Sequence, residues 1–441
     1  MKKSYILGAA ASLMLASCTS YEIDMPDNPE PPVEGPEVSS SVIYQVNPRF
    51  YGTEECLKAV KADIPAIADM GADILWIMPV CEPGSDATSI GSPYSIRDFK
   101  AVNSKYGTMA DFTDLVDAAH AAGMKVVLDW IANHTSRDHS WITSNPERYA
   151  HDADGSISIA NGWTDVAQLD YSEPSTGEAM QEAMMYWVEN GKIDGFRCDY
   201  ADGVPHEFWQ AFIAKARASR PDFMMLAETS DADFYDDGFD MIYDWAFSPA
   251  VSSAFTGGKV SDIFVKANDS WGKVPEGRQL LRYAFNHDTA AQNNVATYFG
   301  SPEGTIGAYV LAAMLHGTPM IYSSMDVDDL SGTLSFFNYR TLTRSASRAA
   351  AFKAINKAFR QSAQVRRGSL KTYADNKVAV FTRSIPGHTL LVMVNTSADE
   401  QTVKTPITLA GGKMTDLLSG AEVTPDYALT IPAYGYIIYM N

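Results

Sequence analysis

The chain has 441 residues, 46% of them hydrophobic, and a formal net charge of −20. That length implies two or three domains, and the hydrophobic share supports a large core and excludes disorder as the default. The negative field repels polyanions and weighs against a nucleic-acid partner, whereas neutral substrates such as sugars are not penalised.

The N-terminus opens with Lys2 and Lys3, followed by an apolar or small-residue stretch from Ile6 to Leu15 and then Leu15-Ala16-Ser17-Cys18. A positive segment, a short apolar segment and small residues read as an export signal, too short for a membrane span. The tetrad resembles a bacterial lipobox. Residues 1–17 are then a lipoprotein signal peptide, and Cys18 is lipidated and becomes the new N-terminus. The alternative is an ordinary signal peptide with an incidental Cys. The lipobox reading implies an exported bacterial lipoprotein held in the outer membrane by a lipid anchor, at the cell surface or on the periplasmic face. Residues 18–40 follow as a tether. Its run Met25-Pro26-Asp27-Asn28-Pro29-Glu30-Pro31-Pro32 is stiffened by proline into an extended spacer.

From residue 42, short apolar runs alternate with amphipathic stretches. The runs are 42–46, 74–80, 126–131, 195–200, 223–227, 241–245, 280–285 and 318–322. Near-continuous apolarity is the mark of parallel strands buried on both faces. The stretch from about Met109 to Ala122 carries Phe112, Leu115, Val116 and Ala119 on one helical face, with Gly123 placed to end it. Eight strands and interleaved helices over 41–365 predict an α/β (β/α)8 TIM barrel. The alternative is an open doubly wound sheet, but no glycine-rich nucleotide loop follows the first strand. More than sixty residues separate the third and fourth strands, so a short subdomain B insert is expected at about 133–175. The fifth and sixth strands leave little room for a helix. Residues 366–441 lose the helical pattern and read as an antiparallel all-β domain, expected to be a C-terminal β-sandwich.

Cys56, Cys81 and Cys198 show no metal spacing. A Cys56–Cys81 disulfide is compatible with export but is not fixed by sequence, and Cys198, inside an apolar strand, reads as a buried thiol.

Reacting groups in such a barrel collect at the C-terminal ends of strands. Four polar clusters fall there: Asp129 with Asn133-His134, Arg197 with Asp199, Glu228, and His287-Asp288. Charge on otherwise buried strands is costly unless it is paired or used.

In sequence, order and spacing these clusters resemble the conserved regions of the α-amylase superfamily, glycoside hydrolase family 13. Gln168-Leu169-Asp170 resembles the short motif near the end of that family's subdomain B. Ser92-Pro93-Tyr94-Ser95 resembles the loop that carries its substrate-stacking tyrosine. The resemblance covers roughly 42–441. It implies a catalytic trio in which Asp199 is the nucleophile, Glu228 the acid/base, and Asp288 a carboxylate that binds sugar hydroxyls and favours ring distortion. It also implies that Arg197 orients Asp199, that His134 and His287 hydrogen-bond the hydroxyls, and that Tyr94 stacks on the sugar. Asp129 reads as a partner for Arg197. The chemistry requires no cofactor.

Two places depart from the pattern. Many α-amylases carry Lys and His where this chain has Asp202 and Gly203; that His also helps bind calcium, so the metal is left unknown. A structural calcium stays compatible with the resemblance, since Asn133 keeps one expected ligand and a carboxylate such as Asp170 is a candidate second, while Asp152-Ala153-Asp154-Gly155 reads as a turn. After the eighth strand, Ser323-Ser324-Met325-Asp326 replaces the expected Gly and acidic pair.

The function expected is retaining, endo-acting hydrolysis of α-1,4-glucans, the partner being an α-glucan oligosaccharide or polysaccharide. The alternatives are a pullulan- or cyclodextrin-degrading relative, a transglycosylase, and a lipid-anchored starch-binding protein without activity.

Overall fold

The structure is a computed structural model that describes residues 40–441 and the backbone of Glu22–Ile23. Residues 1–17, read above as a signal peptide, Cys18 and the proline run lie outside the described residues. Eight parallel strands close into a barrel. They are β1 (Ile43–Val46), β2 (Ile74–Ile77), β3 (Lys125–Ile131), β4 (Gly195–Asp199), β5 (Met224–Ala227), β6 (Met241–Tyr243), β7 (Gln279–Tyr283) and β8 (Thr318–Tyr322). Each pairs with its sequence neighbours, and β8 pairs with β1, Ile321 opposite Tyr44. The open-sheet alternative is therefore excluded.

Alternation across the pleat explains the apolar runs. Ile74, Trp76, Met224, Leu226, Leu281 and Met320 fill the barrel interior. Leu75, Ile77, Met225 and Ala227 point outward into a second core shared with the helices. Strands covered on both faces need apolar residues at every position.

The outer ring comprises α1 (Cys56–Asp69), α2 (Met109–Ala121), α3 (Pro174–Asn190), α4 (His206–Ser219), α5 (Phe247–Phe255), α6 (Ser261–Trp271), α7 (Pro302–Met314) and α8 (Ala346–Gln361). On α2, Phe112, Leu115, Val116 and Ala119 are all buried. Thr108 and Asp111 form a capping box at its start, and Gly123, at φ +82°, turns the chain after its end. The β5–β6 connection contains only a 3-10 turn, Ala232–Tyr235. Between β3 and α3, His134–Ser136 pairs antiparallel with Val166–Gln168. This hairpin stands above the C-terminal ends of β3 and β4.

Beyond α8 the chain builds an antiparallel sheet from β9 (Ser369–Tyr373), β10 (Val378–Ile385), β11 (His388–Asn395), β12 (Met414–Asp416), Glu422–Val423 and β13 (Tyr436–Met440). The opposing layer of the sandwich is only a two-stranded pair, Gln401–Lys404 with Ala428–Ile431. Val380, Met393, Val403 and Ile431 lie between the layers. Glu22–Ile23, within the stretch read as tether, pairs with Thr372–Tyr373. An edge strand offers unpaired N–H and C=O groups to any extended segment within reach.

Cys56, Cys81 and Cys198 are free and buried. The Cys56 thiol points to the Gly52 carbonyl and that of Cys81 to the Phe99 carbonyl, so the disulfide between them does not form. Burial pushes the Cys56 thiol up to about 11, a range in which it stays protonated and unreactive near neutrality.

Candidate active site

The site is organised around one buried guanidinium. Residues two apart on a strand share a face, so Arg197 and Asp199 both project from β4 into the barrel mouth. Arg197 is fully buried. Its Nη1 donates to Asp129 Oδ1 (2.7 Å) and to Asp199 Oδ1 (2.8 Å), its Nη2 pairs with Glu228 Oε2 (2.9 Å), and its Nε donates to the Tyr243 hydroxyl (3.1 Å). The rings of Trp76, Tyr243 and Tyr94 surround its cationic carbon at 5.2, 5.5 and 5.9 Å. Desolvating a cation is tolerable when carboxylates and aromatic faces replace its water.

One positive charge cannot neutralise three carboxylates. Glu228 carries the imbalance. Burial raises its carboxyl well above the usual range, Asp199 and Asp288 push it further, and Arg197 and the Tyr200 N–H (2.7 Å to Oε2) pull only partly back. Burial likewise pushes Asp129 up to about 7, against the pull of Arg197 and of donors from Trp76 Nε1 (3.2 Å) and the Tyr94 hydroxyl (3.1 Å). Glu228 is thereby biased toward the protonated form that a general acid requires. Asp288, at the start of the short helix after β7, accepts from Asn286 Nδ2 (3.2 Å) and is the most exposed of the trio.

The structure brings together Asp199, Glu228, Asp288, Arg197, Tyr94, His134 and His287, while Cys18 is not described. Tyr94 stacks flat on His287 (5.5 Å, 17°), and its hydroxyl lies 2.7 Å from His287 Nε2. Gln45 Nε2 lies 2.8 Å from His287 Nδ1. Burial drives His287 well below its usual value, so the ring is neutral. With Gln45 donating to Nδ1, its proton sits on Nε2. The resulting chain of donors runs Gln45, His287, Tyr94, Asp129. His134 is also buried and lowered, with Nε2 at 3.2 Å from the Tyr94 carbonyl and Nδ1 at 3.1 Å from Asn133 Nδ2. Both nitrogens of each ring are thus engaged within the protein: His287 holds the Tyr94 ring and hydroxyl, and His134 its backbone carbonyl.

Gln45, Trp76, Tyr243 and Phe336 were not singled out from sequence. Phe336 reaches back from the loop after β8 to meet Tyr94 edge-on at 5.5 Å and His287 at a tilt at 5.6 Å. Only Gln45 left a local signal, as the one amide in an otherwise apolar strand end. Asp326, in the altered eighth-strand loop, is not free in the cleft. It is buried and accepts from Arg344 Nε (2.7 Å) and the Tyr44 hydroxyl (3.0 Å).

Of the altered pair after Asp199, the glycine has a steric reason. Asp202 accepts from the Thr229 hydroxyl (2.7 Å). A Cβ at position 203 would lie 2.3 Å from Asn133 Oδ1 and 2.6 Å from the Tyr200 ring, so no side chain fits there. Gly203→Ala is therefore expected to cost about 1–3 kcal/mol as an overpacked site. Denaturant melts check this, and an unchanged midpoint would show that the loop yields freely.

Asn133 and Asp170 do not fit a calcium site. Gln168 Nε2 already lies among the oxygens a cation would need: Asn133 O (3.0 Å), Asn133 Oδ1 (3.1 Å) and Leu169 O (3.1 Å). Asp170 Oδ1 accepts from the Ser172 N–H instead. Calcium takes six to eight oxygens, several of them carboxylate. Among the described residues no group of three or more His, Cys, Asp or Glu gathers to hold a metal. The 152–155 run is a turn, Gly155 at φ +85° and Asp154 bonded to Ser156.

A closed parallel barrel with carboxylates and a buried arginine at its C-terminal mouth defines a barrel of the glycoside hydrolase class. The chain belongs to the α-amylase family: the family model for the α-amylase catalytic domain matches residues 53–154 and 151–330, and that for the maltogenic amylase C-terminal domain matches 371–438. It is 27% identical over 429 residues to the α-amylase MalA of Haloarcula japonica, covering 89% of this chain and 62% of that one. It is 24% identical over 433 residues to neopullulanase 2 of Thermoactinomyces vulgaris, covering 89% of this chain and 71% of that one. An α-amylase structure from Lactobacillus plantarum superposes with a TM-score of 0.81 at 27% identity, covering 92% of this chain and 99% of that one. A maltogenic α-amylase, AmyB from Thermotoga neapolitana, shares the fold with a TM-score of 0.79 at 23% identity, covering 91% and 98%.

Proposed function

We propose that this protein is a retaining, endo-acting hydrolase of α-1,4-glucans such as starch and maltooligosaccharides. The observation that carries the reading is that a single guanidinium binds both Asp199 and Glu228, at 2.8 and 2.9 Å. Carboxylates fastened to one such group favour the separation of about 5–5.5 Å that a retaining mechanism needs, over the wider spacing that admits a water between them.

In this reading Asp199 attacks the anomeric carbon as the glycosidic C–O bond breaks, and the departing oxygen takes the Glu228 proton. Water then attacks the same carbon, returns a proton to Glu228 and releases Asp199. Arg197 keeps the nucleophile ionised and aimed. Asp288 and Tyr94 shape the sugar that is cleaved. The test is product analysis on soluble starch, pullulan and cyclodextrin. The expected result is a loss of iodine staining on starch that outruns the release of reducing ends. No reducing ends from any substrate would sink the reading.

The cellular address rests on the N-terminal sequence alone: Lys2 and Lys3, the apolar stretch and the Cys18 tetrad. An outer-membrane lipoprotein is proposed, and Cys18→Ala is expected to move the protein from the membrane fraction to the soluble one; unchanged fractionation would exclude the anchor.

A further inference from the structure

Two aromatic side chains, Tyr200 and its neighbour Trp163, take no part in the steps above. Tyr200 directly follows Asp199 and sits in the left-handed region, at φ +40°. That conformation is costly for a residue with a Cβ and persists where surrounding contacts enforce it. Here it aims the Tyr200 N–H at Glu228 Oε2, 2.7 Å away, and lays the half-buried ring against Gly203. Trp163, from the insert between β3 and α3, meets the Tyr200 ring edge-to-face at 5.6 Å and 81°, and the His134 ring at 5.4 Å and 62°. Neither neighbour stacks flat on the indole, and Trp163 is 42% exposed. A large aromatic left open against Tyr200, the residue that follows the nucleophile and whose N–H holds Glu228, is available for a ligand.

The side of the cleft follows from the chemistry. Glu228 gives its proton to the departing oxygen, so the departing sugar lies on the Glu228 side, where Tyr200 is bonded to it. The two positions after Asp199 that carry Lys and His in many relatives leave this wall open: position 203 has no side chain, and Asp202 is turned to Thr229, while the Tyr200 hydroxyl reaches Asn161 Oδ1 at 3.5 Å. We propose that Trp163 and Tyr200 form the stacking wall of the subsite that holds the departing glucosyl unit of an α-glucan, and the accepting unit when transfer replaces hydrolysis. The C–H faces of a pyranose match the π-faces of such a wall. The proposal rests on the hydrolase reading above.

The test compares maltopentaose with α-maltosyl fluoride, whose leaving group is a single atom with no ring to stack. For Trp163→Ala, the expected fall in kcat/KM is at least tenfold greater on maltopentaose than on the fluoride, and transfer to added maltose falls relative to hydrolysis. Trp163→Phe is expected to give an intermediate fall on maltopentaose; it supplies the same comparison if the alanine variant does not fold. Equal falls on both substrates, or none on maltopentaose, would overturn the proposal. Wild-type protein inert toward both would overturn the glycosidase reading and this proposal with it.

Discussion

Asp199→Asn is expected to lower kcat on soluble starch by about 10⁴-fold or more, the scale seen when a covalent nucleophile is removed, while glucan affinity persists. The substitution is nearly isosteric, and the remaining Oδ1 can still accept from Arg197, so the fold is kept. Glu228→Gln is expected to cost about 10²–10⁴-fold, the usual worth of a general acid. The two variants also differ in pH dependence. Wild-type activity should decline on the alkaline side as Glu228, raised by burial and by its carboxylate neighbours, loses its proton. In Glu228→Gln that limb should vanish. Steady-state rates across pH check both. Asp199→Asn retaining activity within tenfold of wild type would remove Asp199 from the nucleophile's role.

Arg197→Met is expected to cost about 3–5 kcal/mol of stability, because it strips the counter-ion from carboxylates that remain buried. Asp129 loses a 2.7 Å donor and keeps only Trp76 and Tyr94. The pH signature follows from linkage. Without Arg197 the folded-state pKa of Asp129, already pushed up by burial, rises further above its unfolded value. A carboxyl shifted upward favours the folded state when protonated, so well below pH 7 Asp129 is protonated in both folded proteins and this part of the deficit is absent; it opens as pH rises through about 7 toward the variant's higher value. Urea midpoints at pH 5 and pH 8 test this, with the larger loss expected at pH 8. A loss independent of pH would mean that packing against the three aromatic rings matters more than charge.

The barrel was legible because burial on both faces forces apolar residues at every strand position, and such runs are visible one strand at a time. Arg197, Asp199 and Glu228 stood out for the complementary reason, as charges that interrupt or end those runs. Asp288 needed the family resemblance, since a His-Asp pair after a strand is ordinary in a solvated loop. Trp76 and Tyr243 were hidden because aromatic residues inside a strand look like core. Only closure of the barrel turns their faces onto Arg197. Phe336 was hidden by distance, 49 residues after His287 in the chain yet 5.6 Å from it in space. The role of Gln168 was equally unreadable, because its amide meets oxygens from a strand end more than thirty residues earlier.

The terminal sheet is separate from the barrel in topology but not in substance. Phe381, Leu390, Val392, Val394 and Ile438 belong to the same core as the barrel's outer face and helices. Phe381 meets Phe264 of α6 at 5.8 Å, Tyr434 lies parallel to Phe255 of α5, and Gly307 of α7 lies so close that a Cβ there would be 3.2 Å from Val394. A chain ending near residue 365 would leave that apolar flank bare and prone to self-association. Catalytic and terminal parts therefore constitute a single cooperative unit, which should melt in one calorimetric transition, and evolution cannot exchange the terminal sheet without recutting the outer wall of the barrel.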